Sequence, residues 1–375
     1  MRIVVAPDKF EGSLTASQAA QAIMAGLRRT HPHAEVICLP IGDGGAGTLD
    51  ALLGAGFEPI RTAVTGPTGR PVEATIALRD EYCFVEMAEA SGLKRLPGGR
   101  PAPLEATTFG TGELIRAALD LGVYQFALGI GGSATTDGGA GMASALGVRF
   151  LDAEGRELPR GGISLSQLAH IDMSGLDPRL AGVKVTVACD VDNPLVGPHG
   201  AAAIYGPQKG ATPEDVRRLD SALRHYAHVL VNEIGIEVAA TPGAGAAGGL
   251  GAGAIAFLHA DMVSGIELIL DLLEFNRHVK GADLVITGEG KLDAQSLRGK
   301  APWGVARASG SHGVPVIALA GVVKLGRRDL RLAGFKEAHA LTGLEPSVSR
   351  CMTEAAPLLE RLAERVSGAW TNNSY

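Results

Sequence analysis

Aromatic residues are scarce, at 4% of 375 positions, and neither sign of charge dominates, the formal net charge being −6. No Lys/Arg-rich block occurs. A nucleic-acid footprint needs a basic stripe and a single-strand platform needs stacking rings, so nucleic acid is excluded as a partner. Cysteine is rare too: Cys38, Cys83, Cys189 and Cys351 lie far apart, with no histidine at metal-ligand spacing. That is the profile of a reducing compartment, read here as cytoplasmic, and of a chain without structural zinc. The first ten residues hold only a short apolar run before Pro7 and Asp8, so no signal peptide is expected. Residues 238–260 lack Asp, Glu, Lys and Arg, but Pro242 and repeated glycines leave little apolar side chain before Ile255. They read as a glycine-rich loop entering a helix, and no membrane partner is expected.

What the chain has in quantity is glycine, 52 residues, within a composition that is 46% hydrophobic. The length favours two domains, and the glycine marks loops where backbone must approach something closely. Residues 2–6 form a β-branched run stopped by Pro7, and Thr15 with Gln18 is a capping-box signature opening a helix. Strands are expected at 35–41, 124–130, 183–189, 282–287 and 315–320. Helices are expected at 113–121, 212–234 and near 354–366, and 61–85 reads as a partly antiparallel region around the turn Gly66-Pro67-Thr68-Gly69. The fold class is therefore α/β with two α/β domains. One is Rossmann-like with a mainly parallel sheet, residues 1–65 plus 275–375; the other is a mixed α/β domain, 66–274, inserted into it, with the active site in the cleft between them.

Five apolar runs lead toward a carboxylate beside glycine or proline: Asp8, Asp43, Asp137, Asp190 and Glu289, with Asp293 four residues beyond the last. Acids gathered beyond the carboxyl ends of parallel strands suit Mg²⁺. Only nine residues are lysine, yet Lys9, Lys209, Lys291 and Lys300 sit in or beside glycine-rich loops, as a phosphate or carboxylate would require. Matches to the dinucleotide fingerprint at Gly42, Gly129 and Gly243 are weak in so glycine-rich a chain. No Walker A motif, zinc helix or nucleophile elbow is present. Phosphoryl transfer leads among the reaction classes, because its catalysis is mostly positioning and charge neutralisation.

Ordered blocks then carry a resemblance. They are Ala6-Pro7-Asp8-Lys9-Phe10 with Gly12-Ser13-Leu14, Asp43-Gly44-Gly45, Phe109-Gly110-Thr111-Gly112-Glu113, residues 129–134, Ala188-Cys189-Asp190, Asn193-Pro194-Leu195, residues 206–211 and 243–250, and Thr287-Gly288-Glu289-Gly290. Over essentially its whole length the chain resembles the bacterial type 1 glycerate kinase family. The resemblance implies ATP- and Mg²⁺-dependent phosphorylation of D-glycerate, giving 2-phosphoglycerate. Alternatives are a 3-phosphoglycerate product, an NAD-type dehydrogenase, or a non-catalytic metabolite-binding relative. The expected partners are thus D-glycerate and ATP, with a homodimer left open. The chain departs from the family pattern at Glu11, where lysine is usual, and at Ala46, where an acid is usual.

Residue roles follow from chemistry. Asp190 is the expected general base, with Lys9 as a catalytic cation. Gly131, Gly132, Ser133, Thr135, Asn193, Lys209 and Lys291 are expected to hold phosphate or substrate carboxylate. Asp293, Glu289 and Asp43 are the expected Mg²⁺ ligands.

Overall fold

The structure, a computed structural model, describes residues 1–297 and 299–372. Its strands are β1 (Arg2–Pro7), β2 (Glu35–Cys38), β3 (Glu58–Thr65), β4 (Pro71–Arg79), β5 (Tyr82–Glu86), β6 (Gln125–Gly129), β7 (Arg149–Leu151), β8 (His170–Asp172), β9 (Lys184–Ala188), β10 (Asp261–Val263), β11 (Leu284–Leu292), β12 (Val316–Val323) and β13 (Glu337–Ala340). The chain divides into two compact units. The first comprises Met1–Asp43, Gly47–Phe57 and the chain from Ile266 onward; the second comprises Gly44–Ala46 and Glu58–Gly265.

The first unit holds a five-stranded, all-parallel sheet in the order β13-β12-β11-β1-β2. Ile3 lies opposite Leu284 and Pro7 opposite Gly288. Ile3, Val4, Val5 and Ala6 are all fully buried, the unbroken apolar run of a strand covered on both faces. The helix Ala16–Thr30 starts where the Thr15–Gln18 capping box satisfies its first amides. Its buried face packs on the C-terminal helix Ala355–Asn372, and the approach is close. A Cβ on Gly26 would stand 2.2 Å from the Glu360 carbonyl oxygen.

Two strands of this sheet outrun their sequence limits. β11 was expected over 282–287 and continues to Leu292; β12 was expected to stop at 320 and reaches Val323. Gly288 and Gly321 lie just beyond the expected ends. In the sheet they are points of contact: a Cβ on Gly288 would lie 1.9 Å from the Leu319 carbonyl oxygen, and one on Gly321 2.4 Å from that of Gly290. Without side chains the two backbones stay paired through Leu292 opposite Val323. Glu289 is consequently a strand residue, not a loop residue.

The second unit has a mixed six-stranded sheet, β10-β9-β6-β5-β4-β3, antiparallel from β3 to β5 and parallel from β5 to β10. The expected turn at residues 66–69 joins β3 to β4. The helix Pro213–Ile234 has the expected bounds, capped by Thr212 with Asp215 and ended by left-handed Gly235. Residues 238–260 fold as a loop and the helix Ala246–Leu258. Among the described residues no helix is long and apolar enough to cross a membrane.

Candidate functional site

In the first unit, β1 leads by the helix Ala16–Thr30 to β2 on one side, while β11 leads by the helix Ala301–Gly310 to β12 on the other. The direction of winding therefore reverses between β1 and β11. Loops leaving the carboxyl ends of two such strands part and open a crevice. A cavity of about 580 Å³ lies there, lined mainly by residues in and just beyond the carboxyl ends of β1, β11 and β12.

Its acidic members are Asp8, Asp43 and Glu289, with Asp293 and Glu11 beside them. Asp8 follows β1 directly; its amide donates to the Gly288 carbonyl at 2.8 Å, and its Oδ1 accepts the Lys9 amide at 2.7 Å. Burial pushes its carboxyl up to about 7, helped by the neighbouring charge of Asp43 and opposed by Lys9. Glu289 is also buried, and burial raises its carboxyl above the usual range. Among the described residues its Oε1 has no hydrogen-bond partner. Asp293 sits in a turn just after β11: Oδ1 accepts the Gln295 amide at 2.9 Å, and Lys291 Nζ lies 2.5 Å from Oδ2. Those two contacts hold Asp293 below the usual carboxylate range.

The basic members are Lys9, Lys291, Lys300 and Lys324. Glu11 lies 3.8 Å from the Lys9 ammonium. Lys300 and Lys324 have no ion-pair partner among the described residues. Lys324 carries no local sequence signal and reaches the cavity because β12 runs on to Val323.

Among the described residues no three His, Cys, Asp or Glu side chains form a ready-made metal cluster. Mg²⁺ does not ask for one: it binds through one or two carboxylates and keeps waters and phosphate oxygens. An unpartnered buried oxygen on Glu289, near two further acids, fits that demand.

The other expected residues lie in the second unit. Among the described residues of that unit the amides of Gly131, Gly132 and Ser133 make no hydrogen bond, and Gly132 has φ +77°, the left-handed geometry that turns successive N–H groups toward one anion. Thr135 is different. It is fully buried, and its carbonyl accepts Lys209 Nζ at 2.6 Å. Lys209 is itself buried, so its ammonium clamps the loop from inside rather than facing solvent. Asp137 is equally structural: Thr108, Gly139 and Gly141 all donate to its fully buried carboxylate. Asn193 spends its amide on the His199 carbonyl and the Tyr205 hydroxyl. Asp190 is exposed, and its Oδ1 accepts from Ser264 Oγ and the Gly265 amide at 3.1 and 2.9 Å. The glycines after Gly243 serve packing: a Cβ on Gly248 would stand 1.9 Å from the Thr135 carbonyl oxygen.

Burial lowers the Lys209 ammonium from 10.5 to about 7, against the attraction of Asp137. Between pH 7 and 10 the unfolded chain binds more protons at this site than the folded one, so stability from this group grows as pH rises through that window. Lys209→Met should flatten this rise in a calorimetric Tm series from pH 7 to 10. It should also cost about 1–3 kcal/mol by orphaning the Thr135 carbonyl. An unchanged pH slope would show that the wild-type ammonium does not titrate there.

The Glycerate kinase family model matches residues 3–371. A Halalkalibacterium halodurans protein named glycerate kinase is 49% identical, covering 99% of each chain. The glycerate 2-kinase of Escherichia coli is also 49% identical, over 86% of this chain and 85% of its own. A crystal structure from Salmonella typhimurium LT2, named for glycerate kinase 2, superposes with a TM-score of 0.88 at 44% identity, covering 99% of this chain and 98% of the other.

Proposed function

The chain belongs to the glycerate kinase family and is a kinase, and on that premise we propose that it transfers the γ-phosphoryl group of ATP to D-glycerate with Mg²⁺, giving 2-phosphoglycerate. One observation carries the reading: acids, two of them buried, and lysines line one cavity at the point where the parallel sheet reverses its winding. Phosphoryl transfer needs just such charges, because three oxygens must be neutralised while little covalent chemistry is asked of the protein. Glu289, Asp43 and Asp293 would hold Mg²⁺, which when bound supplies charge neutralisation at the transferring phosphoryl group. Lys9 and Lys291 would bind phosphate oxygens as point charges. The amides of Gly131, Gly132 and Ser133 supply donors for an anionic group. The attacking hydroxyl needs a proton acceptor, and Asp190, held in place by Ser264 and Gly265, is the exposed carboxylate assigned to it.

A coupled assay with D-glycerate and Mg-ATP, the product identified by NMR, tests this. The expected product is 2-phosphoglycerate, and excess EDTA should abolish turnover. A 3-phosphoglycerate product would overturn the regiochemistry, and undiminished activity in EDTA would remove the metal. Asp190→Asn should lower kcat by about 10²–10⁴-fold. A loss confined to thermal stability would instead leave Asp190 as a structural acceptor for Ser264 and Gly265.

A further inference from the structure

The cavity of the first unit has two kinds of lining. Strand ends and the loop after β11 supply the cations: Lys291 lies in β11, Lys300 just precedes the helix Ala301–Gly310, and Lys324 follows β12. The segment after β13 supplies apolar groups, Leu341 from a single helical turn and Val348 and Met352 from the helix Val348–Thr353. Val348 and Met352 are four residues apart, hence on one helix face, and are 53% and 47% exposed. Exposed apolar side chains beside a charged cavity are left wet unless a ligand covers them.

D-glycerate has no use for such a wall, being a carboxylate with two hydroxyls. A cavity of about 580 Å³ is also far larger than so small an acid requires. A nucleotide matches both halves, with a flat, weakly polar base at one end and several negative charges at the other. Sites of a few hundred Å³ with an apolar wall and a few placed polar groups are the usual form for ligands of that size.

We propose that this cavity is the phosphoryl-donor site, taking a purine nucleoside triphosphate with its base against Val348 and Met352 and its phosphates among Lys300 and Lys324. The assignment rests on the kinase reading but goes further, because it places the donor within the first unit alone and orients it. Specificity for a nucleotide over other phosphate donors would then come from the helix Val348–Thr353, and charge binding from the strand ends.

Calorimetric titration of the full chain with ADP and, separately, with inorganic tripolyphosphate tests the division without requiring turnover. A variant carrying both Val348→Gln and Met352→Gln should weaken ADP binding by about tenfold. It should leave tripolyphosphate binding within about twofold, which also shows that the variant is folded. A variant carrying Lys300→Ala and Lys324→Ala should weaken both ligands, and the wild-type affinities should fall with added salt. ADP binding unmoved by the apolar pair, or unmoved by the lysine pair, would overturn the assignment. Failure of the function itself looks different: ADP would bind as described, yet no phosphorylated glycerate would form.

Discussion

Glu289→Gln should lower kcat by about 10²–10³-fold, the usual cost of removing one group that stabilises charge in a transition state. The same substitution should leave the protein at least as stable as the wild type. Glu289 is buried in β11, burial raises its carboxyl above the ordinary range, and Oε1 has no partner among the described residues. A folded-state value above the unfolded one means that stability is lost as pH rises through that window, because the folded chain must then bury a charge. Glutamine has the same shape and removes the charge. Activity and stability should therefore move in opposite directions, which a merely structural glutamate would not produce. Mn²⁺ binding followed by electron paramagnetic resonance provides a readout independent of turnover, and it should weaken in the variant. Unchanged Mn²⁺ affinity together with full activity would remove Glu289 from the site.

Asp8→Asn should raise stability above neutral pH, in metal-free buffer, by on the order of 2–4 kcal/mol. Burial carries the Asp8 carboxyl from 3.8 to about 7, with Asp43 adding repulsion. Between those values the folded chain keeps a proton that the unfolded chain has released, so wild-type stability falls with rising pH across the window and stays lowered above it. Near pH 4 the variant and the wild type should melt together; at pH 8 they should separate. Denaturant melts at the two pH values measure this, and equal separation at both would show that Asp8 does not titrate in that range. Mg²⁺ should narrow the gap at pH 8 by neutralising the cluster. Acids kept close and dry at a stability cost are what a site for a cation and phosphates requires.

Local signals determined much of the architecture. Thr15 with Gln18 and Thr212 with Pro213 marked helix starts because capping is settled within four residues. Strand cores such as residues 3–6 were legible because a doubly covered strand must be apolar throughout. The blocks around Asp8, Asp43 and Glu289 were also visible in the sequence, as carboxylates beside glycine or proline near apolar runs. Tertiary structure decided the rest. Whether Gly288 and Gly321 end a strand or let two backbones touch depends on what lies across the sheet, and that moved Glu289 into β11 and brought Lys324 to the cavity. Lys209 and Lys324 are the same residue type near loops, yet one is sealed against the Thr135 carbonyl while the other lines an open cavity. Burial is a property of neighbours far along the chain, so no local pattern could separate them. The apolar wall of Val348 and Met352 was invisible for the same reason: their helix meets the ends of β1, β11 and β12 only once the sheet has formed.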